Sequence, residues 1–343
     1  MGVIAFNGMP NREYCLELAQ SHDGSLGYVF SMLTALHKRS IKIAKFQLHW
    51  PEYESTSDEH FRIALSGQDK TRYKYWERTG FSQENWKLIK EKCDSLDIEF
   101  LCTPLSPEAV DFLETLDVKR YKVASGDLTN AQLVQYIADT GKEIILSTGM
   151  SSLDEIAKTV GMIDHKRLIL LQCTSSYPTS IRKIGLNVMT ELKRMFPKIR
   201  IGFSDHTGNP MTAILAFAQG AEFVEQHIVF SREQYGPDST SSIELKEIEL
   251  VQEFLSFSNL ANTFPVDKDS VVKEMNDVRY LFGRGLAPRR DLLIGEIVSE
   301  SDLTMKKPLG PFAWSDRLKL IGKKLRRDVP ANSHLCPEDF ELD

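Results

Sequence analysis

Several residues able to bind an anion occur where short apolar runs of the sequence end. Two of them are lysines, Lys45 and Lys122. Small hydroxyl residues occupy comparable positions in or after other runs, namely Thr103, Ser125, Ser147 and Ser204. A positive charge among several hydrogen-bond donors is the surrounding that a phosphate or carboxylate requires. The pattern predicts an anion site, with ion pairing of the lysines at the rim of a fold as the alternative.

Two histidines occur at the ends of consecutive apolar runs. His206 follows the run 199–204, and His227 lies within the run 223–229. Two imidazoles on neighbouring elements can ligate one divalent metal ion, with carboxylates or water completing its coordination. A single buried histidine is usually a hydrogen-bonded part of the core, so the metal hypothesis depends on the pair.

These residues need a scaffold that brings the ends of many strands together. The strand-like runs are 14–19, 41–47, 98–103, 120–124, 143–148, 168–173, 199–204 and 223–229, and segments of helical periodicity separate them. Eight strands, each followed by a helix, are typical of a (β/α)8 TIM barrel, whose active site lies at the carboxyl ends of the strands. An open doubly wound sheet is the alternative, but its glycine fingerprint after the first strand is missing from the sequence.

The regular alternation of strands and helices stops near residue 260. A chain of 343 residues has room for about two domains at roughly 150 residues each. We expect a catalytic barrel over residues 1–263, a linker over 264–283 in which 271–282 could form a short helix, and a small β-rich domain over 284–343.

The composition excludes several classes of protein. With 42% hydrophobic and 26% charged residues, the chain can bury a core and is not a disordered or collagen-like protein. Its net charge of −6 argues against nucleic acid as a partner. The five cysteines are odd in number and form no Cys-x-x-Cys pair. With no signal-peptide pattern and no long apolar stretch, we expect a cytoplasmic protein without a membrane partner.

An ordered set of motifs carries a more specific signal. The motifs are Lys45-Phe46-Gln47, Thr103-Pro104, Lys122-Val123-Ala124-Ser125-Gly126, Ser147-Thr148-Gly149-Met150, Cys173-Thr174-Ser175-Ser176-Tyr177-Pro178-Thr179, Gly202-Phe203-Ser204-Asp205-His206-Thr207 and Gly236-Pro237-Asp238. Through this set the chain resembles the sialic acid synthase family, which comprises N-acetylneuraminate synthase and its legionaminic and pseudaminic relatives. The resemblance extends from about Glu17 to the C-terminus.

The resemblance implies a (β/α)8 barrel followed by an antifreeze-like (SAF) domain over about 284–343. It also implies a homodimer in which that domain is exchanged and reaches over the partner's barrel. The implied reaction condenses phosphoenolpyruvate with an open-chain N-acylated amino sugar resembling N-acetylmannosamine. The products are a nine-carbon α-keto acid and phosphate, and a divalent metal, Mn²⁺ or Mg²⁺, is required.

The resemblance also implies roles for individual residues. The catalytic group is Glu17, Lys45, Lys122 and His206. The residues matching phosphoenolpyruvate-binding positions are Lys45, Thr103, Lys122, Ser125, Ser147 and Ser204. Those matching sugar-binding positions are Gln47, Tyr177, Asp238 and Lys307. His206 and His227 match the two metal ligands.

Departures from the family pattern concern mainly the sugar side. The family's Asn-His-x-Gly is Ser21-His22-Asp23-Gly24 here, and its Lys-Arg-Pro is Lys306-Lys307-Pro308. Gln172 replaces a histidine that often precedes the strand-six cysteine. Two other functions remain open: a different phosphoenolpyruvate-dependent keto-sugar-acid synthase, and a non-catalytic sugar-binding homologue.

Overall fold

The structure is a computed structural model, and it describes residues 12–61 and 68–340. The chain divides into two compact units, Met1–Thr263 and Phe264–Asp343. Positions 1–11 and 62–67 of the expected barrel, and 341–343 of the expected small domain, lie outside the described residues.

The first unit contains a closed parallel sheet. Within its described residues the barrel strands are β1 Glu13–Glu17, β2 Ile43–Leu48, β3 Glu99–Pro104, β4 Arg120–Val123, β5 Glu143–Ser147, β6 Leu168–Cys173, β7 Arg200–Asp205 and β8 Phe223–Val229. Each strand pairs with the next in chain order, and β1 also pairs with β8. This closure confirms the predicted barrel and excludes the open sheet. A short strand, β9 (Ile243–Glu244), pairs with the end of β8.

Helices connect the strands on the outside of the barrel. They are α1 Leu26–Lys38, α2 Pro51–Glu54, α3 Arg72–Thr79, α4 Gln83–Ser95, α5 Pro107–Thr115, α6 Ala131–Asp139, α7 Leu153–Val160, α8 Leu186–Met195, α9 Pro210–Ala218 and α10 Ile248–Thr263. Local chemistry fixes their ends: Asn209 caps α9 by accepting from the Met211 amide at 2.9 Å, with Pro210 in the first turn. Among the residues that the structure describes, no helix is both long and apolar enough to cross a membrane.

The side chains that face the barrel interior change from apolar to polar along the strands. The apolar layer consists of Cys15, Ile43, Leu101, Ile145, Ile169, Leu171 and Phe223. The residues two positions later on these strands are Glu17, Lys45, Thr103, Ser147, Cys173 and Glu225, and all are buried. Because strand side chains alternate with a period of two, both sets face inward and the second forms a polar layer nearer the carboxyl ends. The apolar layer, called here the apolar floor, thus lies directly beneath the polar layer that forms the site.

The second unit has its own core. Strands β10 (Gly285–Pro288) and β11 (Leu303–Lys306) pair antiparallel. The buried apolar residues are Leu286, Leu292, Val298, Leu303, Leu320, Leu325, Val329, Leu335 and Phe340. The helices of this unit are α11 (Lys268–Glu274), α12 (Asn276–Phe282) and α13 (Arg317–Leu320). The segment expected to be a linker therefore contains α11 and α12.

Candidate active site

A cavity of about 370 Å³ opens at the carboxyl ends of the barrel strands. The predicted site residues among its lining are Lys45, Gln47, Thr103, Lys122, Ser125, Ser147, Tyr177, Ser204, His206, His227 and Asp238. The structure thus brings together predicted residues from β2 through β8 and their loops. Two predicted residues, Glu17 and Lys307, do not line this cavity. Glu17 is fully buried in the barrel, and Lys307 is an exposed residue of the second unit with its Nζ 5.0 Å from the ring centroid of Phe282.

Lys122 is a fully buried cation on β4. Its Nζ donates to Ser147 Oγ at 2.7 Å and to the Val123 carbonyl at 2.8 Å. Burial lowers the pKa of Lys122 to about 8, because a charged ammonium loses its hydration inside the barrel. An anion bound beside Lys122 would restore a partner to this charge, so the residue suits an anion site.

Lys45 lies between two buried carboxylates. It pairs with Glu17 and lies 3.5 Å from Glu225 Oε1. Ser204 also donates to Glu225 Oε1, at 3.3 Å. Burial opposes ionisation of Glu225, but Lys45 and Lys122 outweigh it and lower the pKa of this carboxyl. The sequence motifs assign no role to Glu225, although its position two residues before His227 places both on the same face of β8.

Hydroxyl groups and a backbone amide lie in the same cavity as the two lysines. Thr103 Oγ1 is buried and, among the described residues, finds no hydrogen-bond partner. The Gly149 amide donates to Ser125 Oγ at 3.0 Å. A Cβ at Gly149 would lie 2.3 Å from Ser175 Oγ and 2.8 Å from Ser125 Oγ. Only glycine leaves these hydroxyls in place, and the cluster presents the donors that a phosphate or carboxylate accepts.

The two histidines are close enough to share a metal ion. Their ring centroids are 5.3 Å apart, and the Tyr177 ring lies 4.0 Å from that of His206. His206 Nδ1 lies 3.0 Å from the Thr174 carbonyl; in the tautomer that donates from Nδ1 to this oxygen, the Nε2 lone pair is left for a metal. Within 12–61 and 68–340, no cluster of three or more His, Cys, Asp or Glu side chains could hold an ion. The pair fits a divalent ion whose remaining ligands are water or substrate.

A group of lining residues from the segment after β2 did not figure in the sequence-based site. His49 stacks on Trp76 with ring centroids 3.6 Å apart and an angle of 6° between the planes. His49 Nε2 lies 3.2 Å from Gln47 Oε1, and His49 Nδ1 donates to Glu54 Oε1 at 2.7 Å. Gln47 and His49 are two residues apart, which indicates that their side chains share one face of the chain. The packing of α2 and α3 against His49 is a tertiary contact, and no local sequence pattern predicts it.

Comparisons with known proteins cover both units. A model of the NeuB family matches residues 32–262, and a model of the SAF domain matches residues 283–341. An uncharacterised protein of Methanocaldococcus jannaschii is 30% identical over 93% of this chain and 92% of that protein. The N,N'-diacetyllegionaminic acid synthase of Legionella pneumophila is 28% identical over 95% of this chain and 93% of its own. The crystal structure of an N-acetylneuraminic acid (sialic acid) synthetase from Leptospira borgpetersenii is 28% identical, with a TM-score of 0.69, over 81% of this chain and 95% of that chain.

Proposed function

The chain belongs to the NeuB family with a C-terminal SAF domain, and from that premise we propose that it condenses phosphoenolpyruvate with an N-acylated amino sugar. The single observation that carries the proposal is the buried anion site, in which Lys122 bonds to Ser147 beside the unpartnered hydroxyl of Thr103. The methylene carbon of phosphoenolpyruvate forms the new bond to the sugar aldehyde carbon. Water adds to the neighbouring carbon, and phosphate leaves to give the nine-carbon α-keto acid.

The anion-binding half of the proposal uses the residues nearest the apolar floor. Lys45 and Lys122 supply positive charge, and the hydroxyls that donate to phosphate and carboxylate oxygens are those of Thr103, Ser125, Ser147 and Ser204. Most of these side chains are buried, which strengthens their interactions with an anion.

Two carboxylates are available for the water and its protons. Glu17 pairs with Lys45 and accepts from the Ala19 amide at 2.7 Å, so we propose that it orients Lys45 for the reaction. Glu225 lines the cavity, and its Oε2 is buried without a hydrogen-bond partner among the described residues. Glu225 is therefore the carboxylate better placed to accept a proton from attacking water.

We propose that His206 and His227 hold a divalent metal, Mn²⁺ or Mg²⁺, at the mouth of the barrel. When bound, such an ion supplies Lewis-acid polarisation of a carbonyl oxygen. The Thr174 carbonyl favours the tautomer of His206 that carries a hydrogen on Nδ1, and the Tyr177 ring packs against the imidazole. These contacts orient the ligand before any ion binds.

Gln47, Tyr177 and Asp238 line the main cavity and are proposed to contact the sugar.

Lys307 would reach the sugar site of a partner chain in a homodimer that exchanges its second unit. Exposed apolar side chains support a partner surface on that unit: Phe264, Leu281 and Phe282 are 71%, 60% and 67% exposed. Mixing full-length His206→Ala and Lys307→Ala chains tests this, because one barrel of a mixed dimer would receive every required residue. Mixed dimers that recover no activity contradict the exchange.

The direct test is release of phosphate from phosphoenolpyruvate with a panel of N-acylated hexosamines and added Mn²⁺ or Mg²⁺. A nine-carbon α-keto acid, identified by its mass, is the expected product. Turnover with four- or five-carbon sugars in place of the hexosamines, giving a seven- or eight-carbon keto acid, would instead indicate a different keto-sugar-acid synthase. Sugar binding with no phosphate release from any member of the panel would indicate a non-catalytic homologue.

A further inference from the structure

We propose that Glu54 recognises the amino sugar, accepting a hydrogen bond from a neutral donor group such as a hydroxyl or amide N–H and disfavouring a phosphorylated sugar. The inference rests on the proposed function, because it assigns the substrate class of the same site. It concerns a side chamber next to the main cavity, together with the charges that face it.

The side chamber is a cavity of about 270 Å³ beside the segment that follows β2. It shares five lining residues with the main cavity: His49, Arg72, Trp76, Leu105 and Asp127. Because the two cavities share these walls, they adjoin one another. A sugar whose aldehyde lies at the barrel mouth can therefore extend its other end toward the chamber.

Glu54 lines this chamber with one carboxylate oxygen left unpaired. Its side chain is only 8% exposed, and Oε1 accepts from His49 Nδ1 at 2.7 Å. The other oxygen, Oε2, is buried and has no hydrogen-bond partner among the described residues. A buried carboxylate oxygen without a donor is unfavourable. A donor group of the ligand would remove that deficit, which makes Glu54 a recognition residue.

The orientation of Glu54 is fixed by its neighbours. His49 bonds to Glu54 through Nδ1, and the His49 ring stacks on Trp76 with centroids 3.6 Å apart. His49 Nε2 lies 3.2 Å from Gln47 Oε1, so the contacts connect Glu54 to a proposed sugar residue of the main cavity. A carboxylate held in place before binding loses little side-chain entropy when the sugar arrives.

The charges of the chamber disfavour a phosphoryl group. Asp127 lines both cavities, and burial, with a contribution from Glu54, raises the pKa of its carboxyl. Arg72 is the arginine of the lining, and its Nη1 already pairs with Glu59 at 3.0 Å. A phosphate is bound most strongly by free Arg or Lys donors. Here it would instead meet the carboxyl groups of Glu54 and Asp127, in addition to Glu59. A hydroxyl or amide N–H meets acceptors instead.

The test compares N-acetylmannosamine with its 6-phosphate in the full-length protein. Glu54→Gln keeps an oxygen that can accept from His49 and puts an NH₂ group where the unpaired oxygen lies. We expect the KM for the free sugar to rise about tenfold, as for loss of a hydrogen bond to a charged group. The preference for the free over the phosphorylated sugar should fall at least as much, while the KM for phosphoenolpyruvate changes less than twofold.

The matched control is Glu52→Gln on the same helix, α2. Glu52 is exposed and lines neither cavity, so all three constants should stay at wild-type values. Glu54→Asp retains the charge on a shorter stem, and it should weaken sugar binding while still excluding the phosphorylated sugar. Thermal melting of each variant shows whether its fold is intact.

Calorimetric binding of both sugars, measured beside turnover, separates this inference from the proposed function. If the wild type binds the free sugar more tightly and Glu54→Gln loses this binding, the inference holds even when no phosphate is released. If turnover is normal but Glu54→Gln and Glu54→Asp both leave the sugar KM and the preference unchanged, the inference is overturned and the function stands. A wild-type preference for the 6-phosphate, or binding of neither sugar, also overturns it.

Discussion

The charged residues at the amino ends of the barrel strands are paired with one another far more completely than those at the carboxyl ends. At the amino ends, Arg120 contacts Glu99 at 2.6 Å and Glu143 at 2.9 Å, and it also pairs with Glu13. Arg200 shares two of these carboxylates, Glu13 at 2.5 Å and Glu143 at 3.4 Å. Each guanidinium therefore joins carboxylates from several strands.

At the carboxyl ends the pairing is incomplete. Lys122 has a hydroxyl and a carbonyl as its hydrogen-bond acceptors, and Thr103 Oγ1 and Glu225 Oε2 are buried without partners among the described residues. Such groups cost folding free energy unless a ligand completes their bonds. Unpartnered buried oxygens of the inward-facing side chains, rather than charge itself, therefore distinguish the end that we propose binds ligands. The ion pairs at the amino ends should contribute to stability, and the unpartnered groups at the carboxyl ends should contribute to activity.

Removing the proposed metal should produce the largest effect on activity. Chelation, or His206→Ala, is expected to lower turnover more than about 100-fold, because Lewis-acid stabilisation is worth several kcal/mol. Added Mn²⁺ or Mg²⁺ should restore the chelated wild type. The free energy of unfolding of the metal-free variant should stay near that of the metal-free wild type. Normal turnover by fully demetallated protein contradicts the metal assignment.

Arg120→Met should produce the opposite pattern. Removing a buried partner leaves Glu13, Glu99 and Glu143 without their main cation, at a cost of about 3 kcal/mol in the free energy of unfolding. Urea denaturation measures this loss, and kcat per folded molecule should be unchanged.

Acid provides the control for Arg120→Met. Burial opposes ionisation of Glu13, but Arg120 and Arg200 lower its pKa below the ordinary 4.5. Its contribution to stability is therefore present above about pH 4.5 and is lost as the pH falls through the lowered pKa. The wild type should approach the variant in stability under those conditions. If Arg120→Met is as stable as the wild type at pH 7, the ion pairs at the amino ends of the strands do not have the stabilising role proposed for them.

Lys122→Met is expected to have an intermediate effect, confined to one substrate. A charge-assisted hydrogen bond contributes about 1.5–3 kcal/mol, so the KM for phosphoenolpyruvate should rise roughly tenfold or more. The KM for the sugar should change little, and the protein should not be destabilised as Arg120→Met is. Steady-state kinetics with each substrate varied separately provide the measurement. An unchanged KM for phosphoenolpyruvate would remove Lys122 from the site.

The smallest effect is a dependence on pH. Burial lowers the pKa of Lys122 to about 8, so the ligand-free protein loses this charge as the pH rises above that value. The proposed substrate phosphoenolpyruvate is an anion and should bind the protonated form, so kcat/KM should fall above about pH 8 and level off near the value of Lys122→Met. Lys122→Met should lack this decline, and a decline that persists in the variant assigns it to another group.

The sequence predicts the barrel well because its strands are buried on both faces. The predicted runs 168–173 and 223–229 coincide with β6 and β8. The first run is almost entirely apolar and the second begins and ends with apolar pairs, so each is distinct from the helical segments beside it. The placement of Lys122 and His227 at the same end follows from the parallel sheet alone. Glu54 could not be assigned, because its proposed role depends on how α2 packs against His49, which follows β2, and on the stacking of His49 on Trp76 of α3. The possible short helix at 271–282 overlaps two helices, α11 and α12; both are largely exposed, so no strong apolar stripe marks their ends.

The pairing of β1 with β8 also governs when the site can exist. The Tyr14 hydroxyl on β1 donates to Gln226 on β8 at 2.7 Å, across 212 residues of chain. Contacts between residues so distant in sequence form slowly, because a long loop must close before they gain any energy. Glu225 and His227 lie on this last strand, so the polar layer is incomplete until the circle of strands is joined. Barrel closure should therefore precede the proposed anion binding, and binding of phosphoenolpyruvate would serve as a kinetic probe of closure.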